Sequence, residues 1–201
     1  MAGNLTLEGK NGVRARKMLR RITQGLEKAN IPYVLEAGTL LGVVRENRLL
    51  PWDNDLDITI TRQYEESLLR NKWRFWLMGY QVCVRYYKQD RKYFNKGEVR
   101  IIKIKNRNPF RLFKKNVVLD IFLKKKIEDD YYWTVGVKAP VLKSVPYMFY
   151  EKHTQLNFEG KMYSVPYDYE GYLECHYGKD WRVPVKEWDY RTSDCSVKEF
   201  L

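Results

Sequence analysis

Residues 51–60 read PWDNDLDITI. Three aspartates fall within five positions, and the chain then runs straight into apolar residues. Side chains alternate between the two faces of a strand. Read as an extended segment, Asp53, Asp55, Asp57, Thr59 and Thr61 share one face, while Asn54, Leu56, Ile58 and Ile60 share the other. The stretch predicts a strand that is apolar inward and carries carboxylates outward, close to its beginning. Residues two apart on a strand are separated by roughly 7 Å. Two bare charges at that distance repel by about 2.4 kcal/mol at an effective dielectric of about 20. Three cost more unless a cation sits among them, and hard carboxylate oxygens suit Mg²⁺ or Mn²⁺. The plainer alternative is a solvated acidic turn.

Upstream, GTLLG at 38–42 sets two glycines around a hydroxyl, which lets backbone N–H groups approach a phosphate. Arg45 adds a planar cation suited to phosphate oxygens. The alternative here is a tight turn before a core helix, with Thr39 as its cap. Downstream, Asp120 stands in NVVLDIFLK, flanked by Val117, Val118, Leu119, Ile121, Phe122 and Leu123. A charge inside an apolar strand needs a partner. Either a metal shared with Asp55 and Asp57 or a buried salt bridge to Arg or Lys supplies one. A lysine filling the space between the carboxylates would leave no room for an ion.

The rest of the chain frames this cluster. Residues 1–11 are polar with two glycines and are expected to be a flexible start, leaving 12–201 as one domain. GVRARKMLRRITQGLEKAN has helical apolar spacing at Val13, Met18, Leu19, Ile22 and Leu26, with a basic outer face. Residues 33–36 read as a short strand. QYEESLLRNKWRFWLMG reads as a helix closed by Gly79. From 80 to about 135 the pattern turns to strands: YQVCVRYYK, EVRIIKIK, VVLDIFLKK and YYWTVGV. NRNPFRLFKKN is a basic loop or ribbon between two of them. The tyrosine-rich last third is expected to be helical and loop-rich, with a helix in VPYDYEGYLECHYG that stops near Gly178. The layout is α+β: a mixed sheet flanked by helices.

Among 201 residues, 37 Lys and Arg outweigh 25 Asp and Glu, for a net charge of +12. That favours anionic partners without choosing among nucleotides, nucleic acid and membrane surfaces. Three cysteines (83, 175 and 195) without CxxC spacing, and two histidines, argue against a disulfide framework and a zinc site. No run is long and apolar enough to span a membrane. With no apolar signal core at the N-terminus, the expected compartment is cytoplasmic.

Taken together, EAGTLLGVVRENRLLPWDNDLDITI (36–60), VVLDIF (117–122) and VPYDYEGYLECHYGKDWRVP (165–184) resemble the LicD/fukutin family. The family pattern is a G-T-L-L-G-x-x-R turn, then P-W-D-x-D-x-D, a lone Asp in a later strand, and a Y-G-x-x-W-x-x-P tail. The resemblance implies a nucleotidyltransferase-like fold. It also implies transfer of a phosphorylated alcohol, such as phosphocholine or ribitol phosphate, from a CDP-activated donor to a glycan hydroxyl. Carried over by position, Asp55 and Asp57 are the metal-binding pair, Asp53 a ligand or its support, and Asp120 the third carboxylate. Gly38, Thr39, Leu40, Gly42, Arg45 and Trp52 line the donor site. Asn54 departs from relatives that carry another Asp there.

Two other functions remain compatible with the residues. A nucleotidyltransferase would move the NMP part of an NTP using the same carboxylates. A basic module would bind RNA or another anionic polymer through VRARKMLRR, RNPFRLFKKN and LKKK. Nucleic acid is the less expected partner, because RNA binding does not require DNDLD. Trp52, Tyr163, Tyr167, Tyr172, Trp181 and Trp188 would suit a quaternary-ammonium cage if they converge, or plain packing if they do not.

Overall fold

The structure is a computed structural model that describes residues 6–107, 117–185 and 187–201. Helix α1 (Gly9–Glu27) buries Ala15, Met18, Leu19, Ile22 and Leu26 and leaves its basic side outward. Of the expected loose start at 1–11, residues 6–11 are described, and α1 already begins at Gly9. Leu7 is buried, and its N–H donates to the Asp53 carbonyl at 2.8 Å, so the segment before α1 is tied to the aspartate turn. The helix ends where Asn30 turns left-handed (φ 54).

Strand β1 (Val34–Leu35) leads into α2 (Ala37–Glu46), and β2 (Leu56–Thr61) follows. A 3₁₀ turn (Arg62–Tyr64) precedes α3 (Glu65–Leu77), which Gly79 closes at φ 91. Strands β3 (Tyr80–Tyr86), β4 (Val99–Asn106), β5 (Val118–Ile127) and β6 (Asp130–Val135) occupy the region that the sequence marks as strands. The last third differs from expectation. It holds β7 (Val141–Pro146), α4 (Met148–Glu151), the hairpin β8 (His153–Phe158) and β9 (Lys161–Pro166), α5 (Tyr169–Tyr177) and β10 (Val197–Phe200). The expected basic loop at 106–116 lies almost wholly outside the described residues.

One sheet runs β1-β2-β5-β6-β7-β10, with β4 beside β5 and β3 beside β4; β8 and β9 form a separate hairpin. Strand β5 organises it. Its first half lies between β2, parallel, and β4, antiparallel, and its last residues turn to pair with β6. The length of β5 explains how: it makes two sets of neighbours in succession. Ile58, Ile60, Leu119, Ile121 and Leu123 are buried on the sheet's inner face in one core that also holds Leu19, Ile22 and Leu26 of α1. Helices α1 and α3 approach closely, because Gly25 of α1 meets the ring of Phe75 where a Cβ would stand 2.8 Å away.

Candidate active site

The register brings the carboxylates together. Asp57 on β2 sits directly opposite Asp120 on β5, and Asp120 sits opposite Lys103 on β4. Asp55 lies just before β2 begins, in the lead-in turn. Carboxylate oxygens of Asp55, Asp57 and Asp120 all lie within 4.8 Å of one another. Like charges that close repel by about 3 kcal/mol or more at an effective dielectric of about 20. The protonation equilibria register this strain. Asp55 is pushed up to about 7, by burial first and then by Asp53 and Asp120, with Lys103 opposing. Asp57 is raised well above the ordinary carboxylate range by burial and by Asp55, Asp53 and Asp120. Burial also raises Asp120, against the pull of Lys103.

Of the two expectations for Asp120, the structure shows the ion pair. Lys103 Nζ donates to Asp120 Oδ2, so a buried salt bridge exists. It engages one oxygen only. Among the described residues, buried Asp120 Oδ1 has no hydrogen-bond partner, and it is the kind of atom that a cation among the three carboxylates would satisfy. Lys103 therefore leaves Oδ1 available to a further partner.

Asp53 lies outside the trio. Its Oδ1 accepts from the Asn54 N–H at 2.8 Å, and its Oδ2 occupies the space that a Cβ on Gly38 would need. The local strand pattern predicted from 53 starts only at Leu56, because Asp53 and Asp55 belong to the turn.

Helix α2 holds Asp57 in place. The Glu36 N–H donates to the Asp57 carbonyl at 3.1 Å, and the Asp57 N–H donates to Thr39 Oγ1 at 2.9 Å. Thr39 is thus not a helix cap; its hydroxyl is used on the strand. GTLLG is helical throughout, with Gly38 and Thr39 in the first turn of α2. Leu40 is fully buried, and its N–H is spent on the Glu36 carbonyl, so it cannot touch a substrate. Gly42 is small because the Arg48 carbonyl passes where a Cβ would sit, 2.5 Å away. Arg45 does not project freely: it pairs with Glu46 at 2.7 Å and donates to the Trp181 carbonyl at 3.3 Å. Of the expected donor-site residues, Trp52 remains exposed beside the aspartate turn.

The six candidate cage aromatics do not converge. Tyr163, Tyr172 and Trp181 are buried in the core, whereas Trp52, Tyr167 and Trp188 are exposed. Tyr172 spends its hydroxyl on a carboxylate.

That carboxylate is Glu36, which sequence reasoning took only as a strand end. It is buried and accepts from Lys124 Nζ (2.8 Å), Tyr172, Thr59 (2.6 Å) and Tyr150 (3.1 Å). Burial alone would raise its pKa, but Lys124 and His176 overcome this and hold it low. Burial brings Lys124 down to about 8, with Glu36 opposing. The Lys124 ammonium also lies 3.5 Å from the centre of the Trp133 ring. The signal for this ion pair lay in β5: positions 120, 122 and 124 share a face, so Lys124 lies on the same side of the sheet as Asp120, opposite Leu119, Ile121 and Leu123.

A family model described as LicD/FKTN/FKRP, nucleotidyltransferase domain, matches residues 30–168, more than half of the chain. This chain belongs to the LicD/FKTN/FKRP family. The family segment contains all three converging aspartates, Glu36 and Lys124. Among the relatives, the human protein "Ribitol-5-phosphate transferase FKTN" is 28% identical over 187 residues, covering 92% of this chain and 36% of that protein. The mouse protein of the same name is 28% identical over 189 residues, covering 92% and 37%. This chain therefore spans little more than a third of the length of these relatives. A solved structure of ANT(2")-Ia in complex with adenylyl-2"-tobramycin aligns with a TM-score of 0.45 at 13% identity, over 79% of this chain and 75% of that one. The family match and the strand order carry the fold without it.

Proposed function

We propose that this protein transfers a phosphorylated alcohol from a CDP-activated donor to a glycan hydroxyl, with a divalent cation as cofactor. The convergence of Asp55, Asp57 and Asp120 carries the reading, together with an Asp120 Oδ1 that has no hydrogen-bond partner among the described residues. The three carboxylates would hold Mg²⁺ or Mn²⁺, whose charge, when bound, offsets that of the donor's diphosphate. The chain's own residues do the rest by position. Thr39 and Glu36 fix the backbone of Asp57 at both its N–H and its carbonyl. Lys103 occupies Asp120 Oδ2, which leaves Oδ1 as the single open acceptor of that side chain. That oxygen serves either the cation or the proton of the acceptor hydroxyl, not both at once. The printed name of the fukutin relatives favours ribitol phosphate as the transferred group; phosphocholine is the other candidate.

The family's description as a nucleotidyltransferase domain supports a second reading, transfer of NMP from an NTP. Incubation with Mg²⁺ and CDP-ribitol, CDP-choline or CTP separates them. Release of CMP from a CDP-alcohol, dependent on a glycan acceptor, is the expected result. Pyrophosphate released from CTP, with both CDP-alcohols untouched, would favour the second reading. Salt-sensitive RNA binding with no turnover of any donor would leave only a binding module.

A further inference from the structure

The second half of α3 carries apolar surface that the core does not use. Leu68 and Phe75 face inward and are buried. Trp73, Trp76 and Leu77 are 53%, 56% and 64% exposed. Their spacing of three and four residues makes them neighbours on one helix surface. Single exposed apolar residues are ordinary, but two tryptophans and a leucine together form a patch that asks for a partner. Each tryptophan also bears a guanidinium: Arg74 lies 5.1 Å from the Trp73 ring centre and Arg107 lies 4.4 Å from that of Trp76.

A basic concavity of about 310 Å³ adjoins this patch. Arg14, Lys17 and Arg21, three and four residues apart along α1, line it together with Arg107. Among the described residues, its lining includes no carboxylate. Arg107 belongs to both features, since it lines the concavity and covers Trp76. Its N–H donates to the Gly79 carbonyl at 2.9 Å, which fixes the end of β4 to the end of α3. The close contact of Gly25 with Phe75 fixes α1 against α3 in turn. Apolar indoles and a multiply basic concavity are thereby held side by side on one rigid face.

We infer that this face docks the protein on an anionic lipid bilayer. Trp73, Trp76 and Leu77 enter the headgroup region, where indole rings are at home with one apolar and one wet edge. Arg14, Lys17, Arg21 and Arg107 meet the lipid phosphates, and the negative surface of the bilayer draws them there. Charge complementarity selects this occupant. A second copy of the chain would bring the same cations against themselves, and RNA would leave the Leu77 patch in water.

Sedimentation with vesicles tests this. The protein is expected to pellet with phosphatidylcholine vesicles containing phosphatidylserine, not with phosphatidylcholine alone, and to shift its tryptophan emission to the blue. Binding should fall as salt is raised. The Trp73→Ala/Trp76→Ala variant should bind about tenfold more weakly or worse. Lys17→Glu/Arg21→Glu should lose at least as much, and Lys17→Gln/Arg21→Gln gives the same ordering should charge reversal unfold α1. Trp188→Ala should bind as wild type. Equal pelleting with neutral vesicles, or anionic binding that both double variants retain, would overturn the inference. So would a wild-type protein that ignores vesicles while these residues instead drive RNA binding or self-association.

Discussion

Asp57 is fixed at its backbone on both sides before its side chain meets anything, by the Glu36 N–H and by the Thr39 hydroxyl. That rigidity is why three repelling carboxylates stay together instead of splaying apart. The repulsion has a measurable pH signature. Burial, then Asp53 and Asp120, push Asp55 up to about 7 in the folded chain, against about 3.9 when unfolded. The folded state therefore binds the extra proton between these values. Its stabilising contribution is complete below about pH 4 and is lost as pH rises towards 7. In chelator, the melting temperature of wild type relative to Asp55→Asn should fall across that window, and Mg²⁺ should remove the difference. A flat difference would mean that Asp55 feels no such field. At the same scale, Gly38→Ala forces Asp53 Oδ2 from its place. It is expected to lower turnover at least tenfold by shifting the turn that carries Asp55, with a stability cost of about 1–3 kcal/mol by urea denaturation. Residue parity made this cluster legible, since alternation alone aligned Asp57 with the outward face and singled out Asp120. It did not reveal Lys103. A lysine between Ile102 and Ile104 looks like any outward strand residue until the register sets it across from Asp120.

Elements were legible where their periodicity was simple. The stretches read as α1, α3 and strands β2 to β6 coincide with observed elements, because their apolar spacing is that of one buried face. The glycines of GTLLG, read as a turn, lie within α2 and pack closely against Asp53 and the Arg48 carbonyl. The strands of the last third were hidden by tyrosines and lysines whose polar atoms are satisfied inside. Lys143 is buried on β7 and pairs with Asp194, a partner 51 residues away that no local pattern announces. The Glu36–Lys124 pair is the clearest case of an element fixed by a long-range contact, 88 residues apart, linking the start of α2 to β5. Lys124→Met leaves Glu36 buried and uncompensated by that cation, so it should cost about 3–5 kcal/mol in urea unfolding. Lys124→Met/Glu36→Gln should recover much of that loss. If the double variant is no more stable than the single one, the pair does not act as a unit.

Across the whole molecule, the Glu36–Lys124 and Asp194–Lys143 pairs meet at His176. Its Nδ1 lies 3.2 Å from Asp194 Oδ2, and its Nε2 lies 3.7 Å from Glu36 Oε1. Asp194 also accepts from the Ser196 N–H at 2.9 Å, just before β10 returns to pair with β7. The C-terminal segment is thereby clasped to the helix that begins behind the aspartates, although it lies beyond the residues matched by the family model. Burial alone would raise Asp194, but His176 and Lys143 hold it well below the ordinary carboxylate range. Its contribution to stability is thus present above about pH 4 and lost as pH falls further. Asp194→Asn should cost about 1–3 kcal/mol at neutral pH, and the gap to wild type should narrow in acid. A gap that persists unchanged into strong acid would show that the carboxylate charge is not what clasps the segment. The central claim remains that Asp55, Asp57 and Asp120 share one divalent cation. Titration calorimetry of Mn²⁺ into wild type and into folded Asp57→Asn tests it most directly: wild type should bind and the variant should not, whereas equal binding by both would contradict the site.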